Sequence, residues 1–217
     1  MSTPIISIVG KSKSGKTTLL EKLIPELKSR GYRIGVIKHS VHNHQIDIPG
    51  KDSYRIKESG AETIIISSSK KISMIRDLKE EIDLRFIEFK YLEDMDLILT
   101  EGYKRRKFPK IEVLRSKVSK EPLCSPNEVL AFISDFPIKS KRPVFDIDDI
   151  KAFADFIESK FLLKKKKKKV ELFAGGKKIP VKKFVQDFII NVIKAMLSSL
   201  KGVDKDKKIE LKIEEEK

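Results

Sequence analysis

The sequence predicts an α/β fold with a mostly parallel sheet, followed by a small α+β domain. Three observations carry this. Short β-rich runs alternate with amphipathic stretches through residue 163, the pattern of a parallel α/β sheet. A glycine-rich turn joins the first apolar run to the first helical stretch. An unbroken run, Lys164 to Lys169, then separates this region from a differently patterned one.

Ile5 to Val9 is an apolar run of the kind found in a buried parallel strand. After the glycine turn, Lys16 to Arg30 reads as a helix. Leu20, Leu23, Ile24 and Leu27 recur at helical spacing, and Gly31 stands where a C-terminal cap is expected. Pro25 falls inside this helix and is expected to kink it. Ile34 to Lys38 reads as a second strand. A polar segment containing all three histidines follows and ends at Pro49-Gly50. Lys51 to Gly60 reads as a helix and Thr63 to Ser67 as a third strand. Leu97 to Thr100, Lys110 to Leu114 and Val129 to Ser134 read as further strands, and Ile147 to Phe161 as the last helix of this region. Beyond the lysine run, Gly175-Gly176 between two short strands signals a hairpin. Val181 to Leu200 is an amphipathic helix with Phe184, Phe188, Val192 and Met196 at steps of four, and Ile209 to Ile213 alternates like a strand. The expected organisation is a domain over 1–163, a lysine-rich linker over 164–169 and a ββαβ domain over 170–217.

Composition narrows the function classes. The 217 residues carry 47 Lys+Arg against 32 Asp+Glu, a formal charge of +15. A single Cys excludes an internal disulfide framework and a Cys-pair zinc site. No apolar run reaches the length of a membrane span, and the N-terminus lacks the pattern of a signal peptide, so a cytosolic protein without a membrane partner is expected. The charge suggests nucleic acid first. However, six of the fifteen charges belong to the lysine run, which reads as a solvated linker. The C-terminal region also lacks an aromatic stacking platform, because Phe184 and Phe188 stand at core spacing.

The most specific signal is Gly10-Lys11-Ser12-Lys13-Ser14-Gly15-Lys16-Thr17 between a strand and a helix. It matches G-x-x-x-x-G-K-[ST], and that context defines a P-loop. The backbone of residues 10–15 is expected to cradle phosphate, aided by the helix N-terminus. Lys16 would reach the β- and γ-phosphates, and the Thr17 hydroxyl would ligate Mg²⁺. Glu101, carried to the C-terminal end of a buried strand, is the candidate acidic partner for that ion. Asp96 lies at the wrong end of the strand. His39, His42, His44 and Asp47 form a spaced group, read as a loop closing over ligand rather than a tight metal site. Asp47 is a candidate to approach Mg²⁺ through water.

Three segments together resemble a known family: Gly10 through Pro25, Ile37 through Arg55, and Asp96-Leu-Ile-Leu-Thr-Glu-Gly-Tyr-Lys104. They are similar to molybdopterin-guanine dinucleotide biosynthesis protein B (MobB), over roughly residues 3–160. The resemblance implies a P-loop GTPase-like fold, GTP as ligand, and at most weak hydrolysis. It implies a supporting role in converting molybdenum cofactor to its guanine dinucleotide form, beside a MobA-like nucleotidyltransferase, and a homodimer. It places Gly10 to Thr18 in the family's phosphate loop and Glu101 in its Glu-Gly-(Phe/Tyr)-Lys motif. Asp47, Asp52 and Arg55 fall in the stretch bordering its presumed active face. Lys13 stands where a small residue is usual, and residues 164–217 have no counterpart in the minimal family pattern. No Asn-Lys-x-Asp guanine-reading motif is present. Asp135, after a strand, is a candidate to lie near the base, and Lys11 a candidate to cross to a partner subunit. Two other readings stay open: a small-molecule P-loop kinase using Arg105-Arg106, and a nucleic-acid binder using the basic C-terminal region. No Gln or Arg is evidently placed to orient water or neutralise a transition state, so slow hydrolysis is expected.

Overall fold

The structure is a computed structural model that describes residues 3–40, 47–163, 172–174 and 177–200. The chain divides into two compact units, residues 2–165 and 166–217.

In the first unit, β1 (Ile5–Val9) leads through the glycine turn into α1 (Lys16–Ser29) and β2 (Ile34–Lys38). α2 (Asp52–Glu58), β3 (Thr63–Ser67), β4 (Ile72–Arg76) and α3 (Leu84–Tyr91) follow. β5 (Leu97–Glu101), β6 (Lys110–Leu114), β7 (Val129–Ser134), β8 (Val144–Asp146) and α4 (Ile150–Ile157) complete it, with a π-helical turn over Glu158–Leu162. Six strands pair in the order β2-β5-β1-β6-β7-β8, all parallel. Every residue of β1 is buried, so its apolar run is explained by burial on both faces. The exception is Ser7, whose Oγ accepts from Thr100 Oγ1 at 3.0 Å across the strand pair.

α1 buries Leu19, Leu20, Leu23 and Leu27 against Ile6, Ile8, Ile111 and Val113 of the sheet and Phe153, Ala154 and Ile157 of α4. It ends as its sequence predicts. Gly31 N–H donates to Lys28 O and Tyr32 N–H to Leu27 O, the paired bonds of a Schellman cap. α1 is one continuous helix that runs through Pro25. Pro25 is exposed, so the carbonyl it leaves unbonded lies on the solvent side.

Thr63–Ser67 does not join the parallel sheet. It pairs antiparallel with β4, forming a separate two-stranded sheet. The reason is the connection. Ser68 N–H donates to Lys71 O in a tight turn, and parallel neighbours need a crossover of a dozen residues or more. Ile65, Ile66, Ile72 and Met74 of this hairpin are exposed. α3 and β8 were not predicted. α3 buries Leu84 and the carboxylate of Glu88, which accepts from Thr3 N–H and Arg85 Nη1, so its buried face does not read as apolar. β8 has three residues, too few for a period.

In the second unit, β9 (Leu172–Ala174) and β10 (Lys177–Ile179) form the expected antiparallel pair, followed by α5 (Lys183–Ser198). The four-step stripe of α5 is not core. Phe184 is 80% exposed, and Phe188, Val192 and Met196 are also exposed. Ile189, Ile190, Ile193 and Leu197, on the adjoining face, are half-buried. The expected strand at Ile209–Ile213 lies outside the described residues. Among the described residues, no helix is long and apolar enough to cross a membrane.

Candidate phosphate-binding site

The register Ile8↔Glu101 and Val9↔Glu112 aligns the C-terminal ends of β5, β1 and β6 at one sheet edge. The loop of residues 10–15 leaves β1 at that edge. Gly10 has φ +152°, and a Cβ there would stand 2.6 Å from both Ser14 Oγ and the Val113 carbonyl oxygen. Gly15, at φ +87°, precedes the first turn of α1. These two positions require glycine, for space at the first and for backbone conformation at the second. Lys13 takes φ +62° without being glycine, and its side chain is exposed. Ser12 and Thr18 are exposed as well.

Lys16 Nζ donates across the loop to the Lys11 carbonyl at 2.9 Å and the Gly10 carbonyl at 3.3 Å. Burial holds its pKa below the ordinary lysine value. The Glu101 carboxylate opposes that shift, and Lys104 and Lys38 add to it. Thr17 Oγ1 donates to Glu101, lying 3.2 and 3.3 Å from the two carboxylate oxygens. Lys38 Nζ is 3.7 Å from Glu101 Oε2. The end of β5, the first turn of α1 and the end of β2 thus meet at one point. Asp96, at the other end of β5, accepts from Arg33 N–H instead.

Among the described residues, Ser14 Oγ is buried without a hydrogen-bond partner, inside the loop itself. A phosphate oxygen seated on the loop would supply an acceptor for it. Thr17 and Glu101 offer a cation hard oxygen donors only. That set suits Mg²⁺ shared with phosphate oxygens and water rather than an all-protein cage. Among the described residues no group of three or more His, Cys, Asp or Glu is arranged to hold a metal ion.

Among the other predicted residues, Lys11 belongs to the loop, and His39 N–H donates to the Glu101 carbonyl at 3.0 Å. Asp47 Oδ1 accepts from Ile48 N–H and Ser53 Oγ, both at 2.9 Å, and Asp52 lies 3.9 Å from Arg55. These contacts organise the 47–55 segment itself. His42 and His44 lie outside the described residues. His39 packs on Tyr103, with ring centroids 4.4 Å apart, and its Nε2 lies 3.7 Å from Glu81, which also accepts from Arg106. Lys11 Nζ donates to Ser119 Oγ of its own chain at 2.6 Å. Asp135, at the end of β7, accepts from Ser116 N–H at 2.7 Å and Ser116 Oγ at 3.1 Å. The backbone bond from Ser116 is the main cause holding its carboxyl below the usual aspartate range.

Sequence reasoning missed Arg115. It follows β6 directly, and its Nε stands 3.4 Å from where a Gly15 Cβ would be. Its signal was position alone: the first residue after a strand that neighbours the loop-bearing strand.

The chain matches a family profile described as "Molybdopterin guanine dinucleotide synthesis protein B" over residues 5–135. The chain belongs to the MobB family. It is 42% identical over 158 residues to a molybdopterin-guanine dinucleotide biosynthesis adapter protein of Haemophilus influenzae, covering 72% of this chain and 88% of the relative. A putative adapter protein of Methanocaldococcus jannaschii is 26% identical, with 97% of each chain covered. That second likeness, covering 97% of this chain, extends into the C-terminal unit. A crystal structure titled molybdopterin-guanine biosynthesis protein B (mobB) superposes with a TM-score of 0.56 at 34% identity, covering 71% of this chain and 97% of that one. The matched MobB region contains the glycine loop of residues 10–15, Glu101 and Asp135.

Proposed function

We propose that this chain binds GTP with Mg²⁺ and assists the joining of a guanine nucleotide to molybdenum cofactor, beside a MobA-like nucleotidyltransferase. One observation carries the ligand class: Lys16, Thr17 and Glu101 converge on the glycine loop of residues 10–15. Family membership and the relatives' names carry the pathway. In this reading the backbone of residues 10–15 and the start of α1 bind the phosphates, and Lys16 moves from the loop carbonyls to the β/γ-oxygens. Thr17 and Glu101 hold Mg²⁺, which when bound neutralises phosphate charge. Asp47 acts from the neighbouring loop through water. Hydrolysis is slow, so the protein serves as a nucleotide-loaded adapter more than as a hydrolase. A homodimer fits the β3–β4 hairpin, which exposes apolar side chains and two strand edges.

Calorimetric titration of GTP in Mg²⁺ tests this. Lys16→Ala is expected to abolish measurable affinity. Glu101→Gln is expected to weaken Mg²⁺-dependent binding by about tenfold, the loss of one charged ligand. A Lys16→Ala protein that kept full affinity would overturn the assignment.

A further inference from the structure

We propose that Arg115 is the nucleoside-side contact of the phosphate loop, lying against the base of a bound purine nucleotide, with Asp135 as its positioning residue. The inference rests on the nucleotide reading above and assigns the opposite end of the same site. The sheet order supplies the geometry. β5 lies on one side of β1 and brings Glu101 to Thr17, while β6 lies on the other side. A triphosphate whose metal-bound end faces β5 must direct its nucleoside toward the turn that follows β6.

That turn is fastened to the loop at two points. Lys11 Nζ donates to Ser119 Oγ at 2.6 Å. The Arg115 guanidinium spreads over Gly15, with Nε, Nη2 and Cζ at 3.4, 3.5 and 3.8 Å from the position of a Cβ. The turn is closed by Val118 N–H and Ser119 N–H, both donating to the Arg115 carbonyl at 2.9 Å. Asp135, itself fixed by Ser116, holds Arg115 Nη1 at 3.8 Å, a loose pair that orients the guanidinium without enclosing it. The Arg115 side chain remains 30% exposed. A planar, weakly hydrated cation held at the rim of a phosphate loop is suited to stacking on a purine ring.

The test compares two probes on the full chain by calorimetry with Mg²⁺: GTP and inorganic tripolyphosphate, which has no nucleoside. In the wild type GTP is expected to bind more tightly. Arg115→Ala is expected to weaken GTP by about tenfold, the size of a desolvated cation–π contact, and to leave tripolyphosphate within about twofold. Retained tripolyphosphate binding also shows that the loop is folded. Arg115→Lys, which keeps a charge beside Asp135 without the plane, and Asp135→Asn, which loosens the guanidinium, are each expected to give the same split in smaller degree. Lys16→Ala is expected to lose both probes. Equal weakening of both probes by Arg115→Ala, or no change in either, overturns the inference and leaves the nucleotide reading standing. A wild type that binds tripolyphosphate as tightly as GTP does the same. A wild type that binds neither overturns the nucleotide reading and this inference with it.

Discussion

Gly10 is the residue on which the loop's shape depends most directly. A methyl group there meets a backbone carbonyl at 2.6 Å, which cannot yield as a side chain end can. Gly10→Ala is therefore expected to cost about 2–4 kcal/mol, read as a shift in the denaturation midpoint, and to remove GTP binding. Lys13 gives the opposite sign. Its left-handed backbone disfavours a side chain, so Lys13→Gly is expected to raise stability by up to about 1 kcal/mol in the same measurement. Glu112 shows what the residue pattern concealed. It is fully buried in β6 and accepts from the backbone N–H groups of Leu123 and Cys124. It thereby pins the long connection that carries the Arg115 turn. Glu112→Ala would leave those two donors unpaired, and a loss of about 2–3 kcal/mol is expected on denaturation.

Among the elements, α1 is legible at both ends, from the glycine before it to the Schellman cap after it. Its start is fixed by the glycine turn, its buried face by Leu20, Leu23 and Leu27, and its end by Gly31. Each of these is a local constraint. The meeting of Thr17 with Glu101 was legible for a related reason: a parallel strand delivers its last residue to the edge where ligands bind. Arg115 and Asp135 were less legible, because their partnership depends on which strands are neighbours, and strand order is not written in periodicity. The place of β3 was less legible, because an apolar run reads as a strand whether or not that strand joins the main sheet. The α1–α4 junction adds a contact seen only in three dimensions. Arg30 donates to Glu26, Asp155 and Glu158, and Tyr32 OH donates to Glu158 at 2.6 Å. Arg30→Ala is expected to lower stability by about 1–2 kcal/mol, since the network is partly screened by solvent. Hydrogen bonds from Tyr32, then Arg30, hold the Glu158 carboxyl below its ordinary value of 4.5. Its contribution is thus complete above about pH 4.5 and is lost as pH falls through the lower folded value. The difference between wild type and Arg30→Ala should narrow in acid denaturation series over that range.

For the whole molecule, the two compact units and the reach of the relatives agree on one prediction. The Haemophilus influenzae relative is covered over 88% of its length while only 72% of this chain is used. A protein ending at residue 163 is therefore expected to keep its far-UV spectrum, cooperative melting and GTP affinity, checked by circular dichroism and calorimetry. Loss of cooperative melting would show that the second unit supports the first. The order of strands also has a consequence for how the chain is made. β1 is synthesised first, yet its neighbours in the sheet are β5 and β6, and its Ser7 meets Thr100 across 93 positions of sequence. The cost of closing so long a loop falls before the contacts that repay it. On the ribosome β1 cannot pair on both sides until β6 has left the exit tunnel, and the apolar face of α1 is not fully covered until α4 has followed. The candidate site is thus among the first parts to be translated, yet its frame is complete only after much of the chain has followed.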